Sequence, residues 1–475
     1  MIHQLARFCF ALALLCLTAG MASAQPGAVN PELLKQFEER LANTPELRAR
    51  INAVTNNSIK DLALNRSTLT GHDDLFNVKV EGSGIIDQHS SGRCWMFAGS
   101  NVVAPKVMTK LELGDFKISE AYLAFWDKLE KSNRFLETMI RLRDKPVDDR
   151  LMQMYLRSPL GDGGWWHYFT SLTEKYGVVP ASVMPETKQS SSTGMINKLA
   201  TTLLRKGAAG IRERHADGQS VEQLRGYKET VLADIYDLLV YTYGAPPKEF
   251  TFRWESGADS TKAIVEKSFT PQSFFTEFFG EQMPEYVAIA HNPAEELNRL
   301  YNLESSRNIE ERPDMQAMNL PIERLKHYTK KSLLDSQIVW FACDVGEDNY
   351  NDSGIFAIDV YDYNTAFGKD FKLDKADRIR YQDMSPNHAM VIKGMDTSAA
   401  GAPRKWLVEN SWGTDRGNKG LWTMYDGWFD EWVLLVIIDK RLLEDAELAL
   451  LETEPITIEE WEPFFLALRN LELRR

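Results

Sequence analysis

The sequence predicts an α+β protein, and three observations carry that expectation. Residues from about Glu120 to Tyr243 follow a helical pattern, the chain after Pro246 turns to strand-like alternation, and 475 residues are enough for roughly three compact units at ~150 residues each. Helices gathered in one stretch and strands in another form separate layers, unlike the alternating units of a parallel α/β sheet. A hydrophobic content of 44% and a charged content of 26% are globular values, so collagen-like, disordered and disulfide-dense classes are excluded.

In chain order, Arg7, the apolar run Phe8 to Leu17 and the small residues Ala22-Ser23-Ala24 before Gln25 have the layout of a secretory signal peptide. That apolar run is shorter than the ~20 residues that span a bilayer, and no later segment is apolar for long enough. The expectation is export to a periplasmic or extracellular location, with no membrane attachment after cleavage. Residues 25–75, charged and helix-favouring from Pro31 to about Asn52 and then polar, read as an N-terminal arm.

Residues 76–245 form the expected helix-rich half. Cys94 opens it: Phe97, Val102, Val103, Val107, Met108 and Leu111 recur as on a largely buried helix, with Gly114 as its stop. A glycine turn at Ser158 to Gly164 precedes a second periodic segment, Trp166 to Tyr176. Residues 246–455 form the expected β-rich half: Glu249 to Trp254 alternates, Phe274 to Phe279 is aromatic, and Ile338 to Cys343 is a buried strand. Further strands are expected at His388 to Gly394, Trp406 to Asn410 and Gly420 to Tyr425, then an acidic helix from Asp439 to Thr453 and a tail at 456–475.

The net charge of −13 argues against nucleic acid or an anionic membrane as partner. No metal-ligand cluster or phosphate loop is evident, so no metal and no cofactor is expected. Of four cysteines, Cys9 and Cys16 lie in the leader, which leaves Cys94 and Cys343 in the mature chain. Two cysteines do not make a disulfide framework, so a free thiol needs a chemical reason. Most lone cysteines are small buried hydrophobes, and Cys343, inside the apolar run Val339 to Cys343, is read that way.

Cys94 has more around it. A helix N-terminus favours a thiolate, and Gln88, upstream in Asp87-Gln-His-Ser-Ser-Gly-Arg-Cys94, can direct an amide N–H at an oxyanion beside the Cys94 backbone N–H. His388 and Asn410 are expected directly opposite each other in an antiparallel pair, on one face of a sheet. There the asparagine holds the imidazole in one tautomer, so that its other nitrogen takes the thiol proton, and Trp412 shields their hydrogen bond. Singly, each residue has a plainer reading: a polar strand end for His388, a chain turn for Asn410, core packing for Trp412. The ordered set of Gln88, Cys94, His388 and Asn410 is what points to nucleophilic catalysis.

The stretches Ser90 to Ala98, Asp162-Gly-Gly-Trp165, Glu174 to Pro180, Val339 to Gly346, Asn387-His-Ala-Met390 and Val408-Glu-Asn-Ser-Trp-Gly413 resemble the papain superfamily, and within it the bleomycin hydrolase or bacterial aminopeptidase C family, from about Ile59 to Pro463. The resemblance implies a papain-like fold of a helical left lobe and a β-rich right lobe with large insertions. It also implies peptide substrates and a homohexamer whose active sites face an inner channel. By resemblance Cys94 is the nucleophile, His388 the base, Asn410 the orienting residue and Gln88 the oxyanion glutamine, while Gly163 and Gly164 are the wall along which the substrate backbone lies. The family's C-terminal carboxylate, placed in the cleft, restricts cleavage to N-terminal residues.

Here the sequence departs. After Trp461-Glu-Pro463 the chain runs on to Arg475, with Arg469, Arg474 and Arg475 in the extension. The leading expectation is an exported cysteine aminopeptidase; the alternatives are an endopeptidase with an altered tail, a non-catalytic peptide-binding homologue, and an acyltransferase using the same residues.

Overall fold

The computed structural model describes residues 27–41, 43–256, 263–280, 283 and 285–462. The expected signal peptide, and the tail from Pro463 onward, lie outside the described residues. The chain divides into two compact units, one of residues up to Leu64 with Asp362–Asp370, the other of Asn65–Tyr361 with residues from Phe371.

The smaller unit is helical: α1 (Pro31–Arg40), α2 (Pro45–Asn56) and α3 (Ile59–Ala63), with a short helix at Tyr363–Phe367. Local chemistry explains its helix starts. Asn30, Thr44 and Ser58 each accept an N–H of the first turn, and proline follows the first two, where its missing N–H costs nothing.

The larger unit holds the site. Its helical half contains α4 (Arg66–Thr70), α5 (Cys94–Leu111), α6 (Glu120–Arg141), α7 (Arg150–Arg157), α8 (Trp166–Tyr176), α9 (Gly194–Ala216) and α10 (Val221–Tyr243). Helix α5 ends at Glu112 in the left-handed conformation, two residues before the glycine expected to stop it.

The other half is a twelve-stranded sheet among the described residues. Its central strands are β7 (Val339–Cys343), β10 (His388–Thr397), β11 (Pro403–Glu409), β12 (Leu421–Tyr425) and β13 (Val433–Asp439), in the spatial order β13-β7-β10-β11-β12. One sheet face packs on the Cys94-bearing helical core through Trp340, Ala342, Ala389, Val391 and Leu435, while Val339, Phe341, Met390 and Ile392 pack into a second core. That alternation is the period of two of a sheet buried on both sides.

Three segments differ from expectation. The aromatic stretch Phe274–Phe279, placed in the expected β-rich half, is mostly helical: Thr270 caps a helix at Pro271–Phe278, with a reciprocal Thr270–Ser273 capping box and proline in its first turn. The strand pair Phe250–Ser256 and Ala263–Phe269 stands apart from the large sheet, and its Phe250 and Phe252 pack on Phe274 of the helical core, with Phe252 also against Phe116. Aromatic packing thus joins this stretch to the half that precedes it. The acidic helix covers only Asp445–Leu451, because Asp439 closes the buried strand Val433–Asp439 and Lys440–Leu442 form a 3₁₀ turn ahead of the helix.

Candidate active site

Cys94 is the first residue of α5 and is 3% exposed. Its sulfur accepts the backbone N–H of Ala389, the residue after His388, which sets the thiol against the start of β10. Burial pushes the thiol up to about 11, against the opposing pull of the N–H groups of Ala389, Trp95 and Cys94 itself. The helix N-terminus pulls this thiol down as the sequence suggests, but not enough to make the net shift downward. Desolvation outweighs the partial charge of the helix end, and a thiolate here needs a base to take its proton.

His388 opens β10 and pairs across the ladder with Cys343 of β7. Its Nε2 lies 2.8 Å from Asn410 Oδ1. The direct opposition expected for these two residues does not occur. The ladder pairs Val391 with Glu409 and Ile392 with Val408, which puts Asn410 two positions off the point facing His388, just beyond the end of β11. The displacement is an even number of residues, so both side chains stay on the same face.

The protonation geometry follows from a backbone donor. Ser411 N–H donates to Asn410 Oδ1 at 2.8 Å, so this atom is the amide oxygen and not the nitrogen. An oxygen without a proton can only accept, so the neutral imidazole carries its hydrogen on Nε2 and its Nδ1 is unprotonated. Asn410 is fully buried, and its Nδ2 has no partner among the described residues. Trp412 stacks on the imidazole at 4.8 Å between ring centroids and meets Trp422 edge-on, which keeps water from the His388–Asn410 bond.

Gln88 is buried in the loop before α5. Its Nε2 donates to Ser91 O at 2.6 Å and its Oε1 accepts Ser411 Oγ–H at 2.6 Å, which leaves the second amide hydrogen for a ligand. Ser411, which sequence reasoning passed over, thus orients both Gln88 and Asn410. Its signal was present as the polar residue between Asn410 and Trp412. Gly163 and Gly164 lie on the buried stretch before α8, and a Cβ at Gly164 would come within 2.6 Å of the Trp95 ring and 2.8 Å of Tyr168. Gly164 is therefore required by packing against the residue next to Cys94.

Cys343 is fully buried, its thiol raised by burial, and it donates to the His388 carbonyl at 3.8 Å. Arg93, the helix cap, is 1% exposed and reaches Glu186 with two hydrogen bonds at 2.8 and 2.9 Å. A guanidinium so buried is tolerated because its fork is matched by a carboxylate.

Similar proteins match this chain over nearly its whole length. The Aminopeptidase C of Streptococcus thermophilus is 35% identical over 437 residues, covering 91% of this chain and 98% of that protein. The Aminopeptidase G of Lactobacillus delbrueckii subsp. lactis is 33% identical over 429 residues, covering 90% and 97%. The crystal structure of PepW from Lactobacillus rhamnosis is 34% identical with a TM-score of 0.88, covering 92% of this chain and 99% of that one. Residues 28–465 match the Peptidase C1-like family model, and the chain accordingly belongs to that family of papain-like cysteine peptidases.

Proposed function

We propose that the protein is an exported cysteine aminopeptidase of the bleomycin hydrolase type, cleaving peptide bonds through an acyl-thioester on Cys94. The observation that carries this reading is the oriented pair: Ser411 N–H holds Asn410 Oδ1, Asn410 Oδ1 holds His388 Nε2, and the next residue's N–H rests on the Cys94 sulfur. His388 Nδ1 takes the thiol proton and the thiolate adds to the substrate carbonyl. The oxyanion is received by the spare Gln88 N–H and the Cys94 backbone N–H. The imidazolium then protonates the departing amine, and water, deprotonated by the same nitrogen, hydrolyses the thioester. Trp412 acts as the cover of the imidazole, and Gly163 and Gly164 supply the backbone along which an extended peptide lies.

Relatives named aminopeptidases support the exopeptidase reading. The leader pattern of residues 1–24 supports export, and the family resemblance supports a hexamer. The endopeptidase reading rests on the basic extension after Pro463. One aminoacyl fluorogenic amide, offered with a free amino group and as its N-acetylated twin, separates them. Cleavage of the free form alone is expected; faster cleavage of the blocked form overturns the aminopeptidase reading.

A further inference from the structure

Behind the proposed catalytic residues lies a buried carboxylate that the chemistry does not use. Asp162, 1% exposed, immediately precedes Gly163 and Gly164. Its Oδ2 accepts the backbone N–H of Gly92, at 3.0 Å, and the hydroxyl of Thr193. Its Oδ1 accepts Lys128 Nζ at 2.5 Å and Asn197 Nδ2 at 2.9 Å, while its backbone carbonyl accepts Trp95 Nε1 at 2.8 Å. Burial opposes ionisation, yet Lys128 and Gly92 N–H hold this carboxyl well below the usual range. Both oxygens are thus committed to donors from three separate parts of the chain. Gly92 lies in the loop between Gln88 and Cys94, Lys128 on α6, and Thr193 and Asn197 at the start of α9. A neighbouring bond continues the pattern: Lys131, one turn beyond Asp127 to which it is paired, donates to Gly163 O at 2.5 Å.

A buried charge is retained only where it is paired and hydrogen-bonded, and one so placed joins rigidly whatever it touches. We propose that Asp162 is a positioning residue for the peptide-cleaving reaction, locking the Gln88–Cys94 loop to the Gly163–Gly164 wall, with the start of α9 holding the lock. It touches no reacting atom. It sets the distance between the oxyanion donors and the segment that holds the substrate backbone, a separation on which rate depends steeply, since about 1 Å of misplacement can cost on the order of 10²-fold. The inference rests on the peptidase reading above, but one of its two readouts does not.

The test compares Asp162→Asn and Asn197→Ala with the wild-type chain in two assays. The first is kcat and KM on the free-amine amide; the second is the rate of Cys94 alkylation by iodoacetamide at neutral pH, which requires no oxyanion hole. Asp162→Asn is expected to lower kcat by at least tenfold while alkylation is not slowed, because loss of a negative charge near Cys94 favours its thiolate. Asn197→Ala, which removes one donor far from the thiol and serves should Asp162→Asn fail to fold, is expected to lower kcat a few-fold with alkylation unchanged. Equal losses in both assays indicate a general structural role and overturn the proposal, as does unchanged kcat in both variants. A wild-type chain that is alkylated at Cys94 but cleaves no amide sinks the peptidase reading, and with it the role assigned to Asp162.

Discussion

At the scale of the residue, the site turns on where two protons sit. Asn410 Oδ1 accepts from Ser411 N–H and from His388 Nε2, so removing the amide frees the imidazole to exchange tautomers and swing. Asn410→Ala is expected to lower kcat on the order of 10²-fold, with KM changed much less, in steady-state assays. An undiminished kcat would show that Trp412 alone orients the ring. The thiol proton obeys the opposite constraint. With burial pushing Cys94 up to about 11, the thiolate forms only by transfer to His388. In His388→Ala the pH profile of iodoacetamide alkylation should therefore rise toward a midpoint near 11; a midpoint below the free-thiol value of about 8.5 would contradict this.

Among elements, the site depends on how α5 sits between the segment before α8 and the sheet. Trp95 takes part on both sides: its indole donates to Asp162 O, its carbonyl accepts Trp340 Nε1 from β7, and its ring lies where a Cβ on Gly164 would be. A methyl group at that position has no room, since the ring is fully buried and cannot move aside. Gly164→Ala should lower the unfolding free energy by about 1–3 kcal/mol, measured by urea denaturation, and reduce kcat with it. An unchanged urea midpoint would mean that the ring relaxes freely. The element that the sequence reading passed over was β13, which ends at Asp439, where the acidic helix was expected to begin. Its run of Val, Leu and Ile is buried on both faces, and such a run carries no alternation to reveal a strand.

Over the whole molecule, buried titratable groups tie stability to pH. Glu120, first residue of α6, is raised by burial to about 7 from 4.5. The folded chain therefore holds this proton more tightly than the unfolded chain does. The stabilisation is complete below pH 4.5 and is lost as pH rises through about 7. Urea unfolding of wild type and Glu120→Gln at pH 4.5 and pH 8 should show the variant gaining relative stability at the higher pH, by on the order of 3 kcal/mol at most. A constant difference between the two proteins would mean that Glu120 ionises normally in the fold.

The sequence by itself determined the residue types of the site, their order and the α+β class. The pattern of helix and strand is local, and a nucleophile at a helix start after a Gln-bearing loop is a local signature. Cys94, His388 and Asn410 were legible for that reason, and so was Cys343 as a buried thiol. Tertiary structure decided what depends on distant neighbours. The register of β10 on β11 is displaced from direct opposition, with irregularities at Ile392/Gly394 and Asp396/Thr397 that no short-range pattern predicts. The thiol's raised proton affinity comes from burial, which outweighs the helix end and is a property of the packed core alone. The convergence of Gly92, Lys128, Thr193 and Asn197 on Asp162 joins residues far apart in the chain, and only the folded chain brings their donors to one carboxylate.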